Sequence, residues 1–147
     1  MLSSGPMSVN LYTDGSVCTE KKVGGWAFVT TIENNNTEKS GVRRSECDAN
    51  RMELLAVKEG LEIISPEHEN IKLFSDSLYV RDVLDALRNG QKIVPRILRR
   101  NGDVHQAIAT LLGGRRILFQ QVRTHNSWPE QHHRCHELAR EAIFQMQ

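Results

Sequence analysis

Three acidic side chains stand at the ends of apolar segments, where clustered carboxylates could bind divalent metal ions. Asp14 follows the apolar stretch of SVNLYTDGS, Asp76 follows that of IKLFSDS, and Glu53 lies in the first turn of a helix predicted from NRMELLA. Carboxylates ~4 Å apart repel by on the order of 4 kcal/mol per pair at an effective dielectric of ~20, so such a cluster stays ionised only around a cation. Oxygen ligands favour Mg²⁺ or Mn²⁺. Two such ions ~3.5 to 4 Å apart would activate a water and stabilise the leaving oxygen of a phosphodiester.

Each acid also has an ordinary structural explanation. Asp-Gly after a strand is typical of a turn, Glu near a helix N-terminus favours the helix dipole, and Asp after a strand often caps a helix. The sequence context favours the metal site, because each acid adjoins an apolar segment and none has an obvious cation close to it in the sequence.

The elements that must position these acids follow from the hydrophobic periodicity. Alternating and β-branched segments predict strands over residues 8–13 (ended by Asp14-Gly15), 24–32, 37–45, 71–75 and in RRILFQQVR, with a turn at Asn34–Asn36. A first helix is expected from Asn50, which with Glu53 resembles a capping box, to Ser65-Pro66.

Further helical periodicity follows the fourth strand. We expect a helix that Asn89-Gly90 ends, two helical pieces broken at Asn101-Gly102 with Asp103 capping the second, and a last helix whose apolar stripe includes Cys135. Early hairpins followed by alternating helices and strands predict an α/β fold, with a mixed sheet flanked by helices. If strands one and four are parallel neighbours, Asp14 and Asp76 emerge side by side at the edge where such sheets bind ligands.

Size and composition predict one globular domain. The chain has 147 residues, 39% hydrophobic and 25% charged, and we assign residues 7–147 to the domain and residues 1–6 to a flexible N-terminal segment. A net charge of +1 means that any contact with nucleic acid is local. Three widely spaced cysteines without CxxC predict a reducing, cytoplasmic setting, and no segment approaches the ~20 apolar residues of a membrane span.

Four sequence blocks resemble those of the type 1 ribonucleases H. These are YTDGS, NRMELLA, SDSLYVR and RCHELAR, in the family's order and at compatible spacing, and the resemblance extends from about Val9 to Ile143. It implies a ribonuclease H-like fold with a five-stranded mixed sheet, two divalent ions, and endonucleolytic hydrolysis of the RNA strand of an RNA/DNA hybrid. The products would carry 5′-phosphate and 3′-hydroxyl ends. We also expect a monomer without a small-molecule cofactor.

The resemblance implies a role for individual residues. Asp14 would bridge both metals, Glu53 and Asp76 would hold the metal on the leaving-group side, and His125 in VRTHNSWPE would assist proton transfer or product release. The residues that would contact the substrate are Gly15, Ser16, Asn50, Arg51 and members of a basic segment.

That basic segment comprises five cations within thirteen residues that contain no acid. It consists of Arg88, Lys92, Arg96, Arg99 and Arg100. A solvated helix face is the ordinary explanation of such a run, while a ridge that contacts phosphates is the functional one. We predict phosphate contacts for Arg96, Arg99 and Arg100.

The chain departs from the family pattern at several positions. The glycine-rich loop after the first strand is replaced by VCTEKKVGG, and Ala49 and Leu78 stand where an asparagine and a glutamine are expected. Such polar side chains would read the minor groove of the hybrid, where the 2′-hydroxyl distinguishes RNA from DNA. Their loss predicts weaker binding of the hybrid.

The most consequential departure is His136, which stands where the family has a fourth metal-binding aspartate. His136 could ligate a metal through a ring nitrogen, which would favour Mn²⁺ over Mg²⁺. It could instead only line a three-carboxylate site. A third alternative is a zinc site unrelated to hydrolysis, formed by His125, His132, His133, Cys135 and His136.

Two other functions remain open from the sequence. One is a catalytically weak or inactive module that binds RNA/DNA hybrids, against which the three intact acids argue. The other is a different metal-dependent nuclease of the same fold, against which the NRMEL block argues.

Overall fold

The computed structural model describes residues 8–89, 100–123 and 128–145. Within these residues the chain forms five strands and four helices, and the strands make one sheet in the order β3-β2-β1-β4-β5. The elements are β1 (Ser8–Cys18), β2 (Val23–Ile32), β3 (Asn35–Arg44), α1 (Ala49–Ile63), β4 (Asn70–Ser75), α2 (Leu78–Arg88), α3 (Gly102–Leu112), β5 (Arg116–Gln121) and α4 (Glu130–Phe144). β1 pairs antiparallel with β2 and parallel with β4, so the predicted five-stranded mixed sheet is confirmed.

The sheet is covered on both faces. On one face the main core brings side chains of α1, α2 and α3 against Leu11, Phe28 and Leu73 of the sheet. On the other face α4 packs closely, with the Cys135 Sγ donating to the Tyr12 carbonyl at 3.1 Å. Alternate residues of β1 therefore face opposite helical layers.

The first strand is longer than the sequence predicted. β1 continues through Asp14-Gly15 to Cys18, because Asp14 pairs with Ala27, Gly15 with Trp26 and Cys18 with Val23. The expected stop at Asp14-Gly15 was wrong, since the antiparallel partner strand extends the pairing past it. Asp14 consequently occupies a rigid position inside a strand.

The second hairpin turn lies one residue earlier than the Asn34–Asn36 turn predicted from the sequence. Glu33 and Asn34 have φ of 51° and 70°, as a two-residue type I′ turn requires, and Asn35 already pairs with Ile32.

Two predicted helix caps were wrong. The side chain of Asp48 caps α1 by accepting hydrogen bonds from the backbone N–H groups of Asn50 and Arg51, so the predicted capping box of Asn50 and Glu53 does not form. Asn101 occupies the cap position of α3, and Asp103 accepts hydrogen bonds from the Arg51 side chain instead. Because Asp48 forms the cap, the carboxylate of Glu53 is not used in capping α1.

Among the described residues, no helix has the length and apolar character needed to cross a membrane.

Candidate metal centre

Asp14 and Asp76 lie side by side because β1 and β4 are parallel and in register. Tyr12 pairs with Phe74, and each aspartate follows two residues later on its own strand. The juxtaposition expected from the sequence is therefore present. Asp14 is 3% exposed, while Asp76 is partly exposed at the end of β4.

Glu53 approaches Asp14 from α1, which packs on the face of the sheet opposite α4. A Cβ added to Gly15 would lie 2.7 Å from the Glu53 backbone nitrogen and 2.8 Å from the Met52 carbonyl carbon. The strand and the helix can approach this closely only because position 15 has no side chain. The Glu53 Oε1 atom is buried and accepts no hydrogen bond in the part of the chain that the structure describes.

Burial raises the pKa of all three acids, and the proximity of neighbouring carboxylates raises it further for Asp14 and Glu53. Burial and the neighbouring carboxylate of Asp76 raise the pKa of Asp14 to about 6. Burial, together with Asp14 and Asp76, raises the pKa of Glu53 well above its ordinary value. Burial also raises the pKa of Asp76. All three shifts have the sign that a bound divalent ion would reverse.

His136 on α4 contacts the centre directly. Its Nδ1 lies 2.8 Å from the Asp14 Oδ2, and the other oxygen of Asp14, Oδ1, accepts from the Gly15 N–H at 2.9 Å. Helix α4 is held close to the sheet by another small residue, since a Cβ on Gly25 would lie 2.4 Å from the Ala139 carbonyl oxygen. The sequence expectation that position 136 faces the acids is consistent with this geometry.

His132, one helical turn before His136, is the residue whose position the sequence analysis did not anticipate. It is completely buried, and a ring nitrogen of His132 and carboxylate oxygens of Asp14 and Asp76 all lie within 4.8 Å of one another. Burial, together with His136 and His133, lowers the pKa of His132 to about 4. The i, i+4 spacing of the two histidines was visible in the sequence, but not that both point toward the acids.

The donor set fits a hard or borderline divalent cation. Buried atoms with unused hydrogen-bonding capacity, the Glu53 Oε1 and both ring nitrogens of His132, surround a group of mutually repelling carboxylates. Buried polar atoms of this kind are normally satisfied, so their accumulation at one point indicates a ligand. Oxygen and imidazole donors together are typical of Mg²⁺, Mn²⁺ and related ions.

The alternative zinc site with Cys135 is not supported by the geometry of the described residues. The Cys135 thiol points to the Tyr12 carbonyl and packs with Tyr12 and Val29. Burial raises the pKa of this thiol well above its ordinary value, which disfavours the thiolate that zinc requires. Cys135 therefore behaves as a core residue, as its place on the apolar stripe suggested.

Arg51 does not project freely toward a substrate. Its guanidinium donates to both carboxylate oxygens of Asp103, at 2.9 and 2.8 Å, to Glu46 at 2.6 Å and to Asn101 at 3.3 Å. These bonds tie α1 to α3, so a contact between Arg51 and a substrate would have to share a guanidinium that is already engaged.

The other residues predicted to contact the substrate differ in how exposed they are. Asn50 is exposed at the start of α1, Ser16 is partly buried on β1, and Gly15 serves the close contact with α1. Exposed Arg100 lines a shallow depression together with Arg51 and the segment before α1. His125, Arg96 and Arg99 lie outside the described residues.

Comparisons with known proteins agree with one another. The RNase H family profile matches residues 6–144. A ribonuclease H of Oleidesulfovibrio alaskensis is 36% identical over 138 residues, which cover 90% of this chain and 88% of that protein. A ribonuclease H of Chlorobaculum parvum is 32% identical over 142 residues, covering 92% and 95%. The crystal structure of RNase H1 from Halobacterium salinarum superposes with a TM-score of 0.68 at 20% identity, over 93% of this chain and 98% of that one.

Proposed function

This chain belongs to the ribonuclease H family and hydrolyses the RNA strand of RNA/DNA hybrids, and we propose that it does so with two divalent ions held by Asp14, Glu53 and Asp76. The observation that carries the proposal is that Asp14 and Asp76 lie side by side on two parallel strands, while Glu53 of α1 approaches Asp14 closely enough for the two carboxyls to interact. The raised pKa of each acid supports it. When bound, the ions would activate the attacking water and stabilise the leaving oxygen, giving 5′-phosphate and 3′-hydroxyl ends.

The burial of the three acids supports the roles that the family resemblance implies for them. Asp14, nearly inaccessible and central, has neighbours on both sides and is proposed to contact both ions. Glu53 offers a buried oxygen from the α1 side, and Asp76 a more exposed carboxylate at the end of β4. We propose that these two hold the ion on the leaving-group side.

His136 is proposed to replace the usual fourth aspartate. Its contact with Asp14 orients that carboxylate whenever Nδ1 carries the proton, and the other ring nitrogen then has the lone pair. An imidazole at this place lowers the negative charge of the site and favours Mn²⁺ over Mg²⁺. His125 is proposed to assist proton transfer or product release.

We propose that the hybrid contacts the exposed start of α1 and the basic segment. Asn50 and Arg100 are exposed there, and Gly15 and Ser16 lie beside the acids. Arg51 is proposed to act in part through Asp103, since its guanidinium already binds that carboxylate. Arg96 and Arg99 complete the proposed phosphate contacts.

We further propose a single domain over residues 7–147 that acts as a monomer in the cytoplasm without a small-molecule cofactor. The family match over residues 6–144 supports one domain. Three free cysteines, including a buried thiol, support a reducing setting.

Cleavage assays that compare an RNA/DNA hybrid with single-stranded RNA and duplex DNA test the function. The purified chain, with Mg²⁺ or Mn²⁺, should cut the RNA strand of a labelled hybrid and leave single-stranded RNA and duplex DNA largely intact. Asp14→Asn serves as the negative control for contaminating nucleases. Binding of the hybrid without cutting in either metal would identify an inactive binding module, and equal cutting of all three substrates would identify another nuclease.

A further inference from the structure

We propose that His132 is a metal ligand of this centre, completing with Asp14 and Asp76 a mixed nitrogen and oxygen donor set. The proposal rests on the proposed metal-dependent function. It adds a ligand from α4 that lies one turn before position 136, where the family has an aspartate. It does not depend on whether His136 also binds an ion.

Burial and missing hydrogen bonds are the first support. His132 is 0% exposed, and neither ring nitrogen has a hydrogen-bond partner in the described part of the chain. A buried imidazole whose nitrogens have no partners loses the hydrogen bonds that it would make with water. A metal ion bound to one ring nitrogen would compensate for that loss at that nitrogen.

Distance is the second support. A ring nitrogen of His132 and one oxygen each of Asp14 and Asp76 lie within 4.8 Å of one another. Ligands bonded at about 2.1 Å to one ion are at most about 4.2 Å apart, so small side-chain adjustments bring all three into one coordination sphere. Burial also favours the neutral ring, which keeps a lone pair for the metal.

The surroundings of the two histidines differ in a way that favours His132. Trp128 packs in a T-shaped arrangement against both imidazoles, with ring centroids 4.5 Å from His132 and 5.3 Å from His136, so the difference between them lies in their exposure and their contact with Asp14. His136 is 37% exposed, and its Nδ1 already faces Asp14 at 2.8 Å. His136 is thus placed to orient Asp14, while His132 is placed to donate to an ion between the two aspartates.

A nitrogen donor has consequences for the choice of metal. Mg²⁺ prefers oxygen ligands, whereas imidazole binds Mn²⁺ and later first-row ions more favourably. Loss of the His132 ring should therefore weaken Mn²⁺ more than Mg²⁺. The expected loss for Mn²⁺ is at least about tenfold, the scale on which even outer partners of metal ligands act.

Electron spin-echo spectroscopy of Mn²⁺ bound to the whole chain tests the proposal directly. We expect nitrogen modulation that changes when the histidines are labelled with ¹⁵N and that loses the contribution of one imidazole in His132→Asn. The matched variant His133→Asn, one residue along the same helix, should keep both the modulation and the Mn²⁺ affinity measured by calorimetry. Modulation that survives His132→Asn and disappears in His136→Asn would overturn the assignment.

A second variant covers the case in which His132→Asn does not fold. Replacing His125, His133 and His136 together with Asn leaves His132 in place, and histidine modulation that persists there supports the proposal. Its absence overturns it. Cleavage of hybrids is scored separately: cutting without nitrogen coupling refutes only the ligand, whereas nitrogen coupling without cutting refutes only the proposed function.

Discussion

The backbone of Glu53 lies against Gly15 so closely that a Cβ at position 15 would be 2.7 Å from the Glu53 nitrogen. Both partners of this contact are main chain, so neither can turn aside as a flexible side chain could. The contact fixes how far the Glu53 carboxylate stands from Asp14, the residue that precedes Gly15 in β1.

Gly15→Ala should therefore push α1 away from β1 and disturb the metal centre. Overpacking of this kind costs about 1–3 kcal/mol, and we expect a lower melting temperature in EDTA together with weaker metal binding and slower cutting. Gly102→Ala is the matched control, because a Cβ there meets nothing within 4 Å. A Gly15→Ala protein as stable as Gly102→Ala, with the metal affinity of the unmodified chain, would contradict the role assigned to this contact.

Neutralising any of the three acids should lower the rate of cutting but raise the stability of the metal-free protein. Asp14→Asn, Glu53→Gln and Asp76→Asn are each expected to slow cutting by on the order of 10² to 10³-fold or more. In EDTA the same variants should melt higher than the unmodified chain, because one repelling charge is gone. Asp85→Asn, an exposed residue beside Arg88 on α2, controls for loss of charge alone. A near-normal rate in Mg²⁺ for one of the three would remove that residue from the ligand set.

The raised pKa of Asp14 predicts how metal-free stability varies with pH. Its pKa is about 6 in the fold, against ~3.9 in an unfolded chain, so the folded state holds the proton more strongly and loses stability as pH rises through about 6. The stability advantage of Asp14→Asn in EDTA should be small near pH 4 and reach roughly 3 kcal/mol above pH 7. Titration of His132 contributes to the free energy of unfolding of both the variant and the unmodified chain, so it largely cancels in their difference. Denaturant melts across pH measure the difference, and a constant advantage would refute the assigned pKa.

His136→Asp should restore a carboxylate and shift the metal preference. Without metal, a new acid next to Asp14 adds repulsion, so the melting temperature in EDTA should fall. With Mg²⁺ the stabilisation should exceed that of the unmodified chain, and the gap between Mn²⁺ and Mg²⁺ should narrow. His133→Asp adds the same charge to the same helix and should do neither. Unchanged Mg²⁺ binding in His136→Asp would make position 136 a bystander.

The basic segment predicts a salt effect on substrate binding. Replacing Arg96, Arg99 and Arg100 with Ala should weaken binding of the hybrid and reduce its salt dependence by up to ~0.9 in slope per lost phosphate contact. The maximal rate should change less than the apparent affinity. Arg81→Ala, which removes an exposed arginine paired with Asp82, is the control. If the triple variant and the control bind the hybrid with equal affinity at low salt, the basic segment is a solvated helix face that does not contact phosphates.

The sequence by itself determined the order of elements and the identity of the acids. Apolar segments followed by Asp14 and Asp76, and the helical stripe that begins beside Glu53, are local patterns that survive in the structure. Local patterns did not determine the ends of elements correctly: pairing with β2 carried β1 past Asp14-Gly15, and Asp48 took the cap expected of Asn50. The end of a strand depends on how far its partner strand continues beside it, and that partner can be distant in sequence. The cap of a helix depends on which of several neighbouring polar side chains reaches the free N–H groups, as Asp48 does here in place of Asn50.

Only the tertiary structure decided what the histidines and Arg51 face. His132 and His136 share a helix face in the sequence, but the packing of α4 on β1 buries His132 completely while leaving His136 partly exposed. Arg51, expected to meet a substrate, meets Asp103 more than fifty positions away. Side-chain direction in space depends on how helices dock on the sheet, and that docking is set by contacts such as Gly15 with Glu53 and Gly25 with Ala139, which no local periodicity encodes.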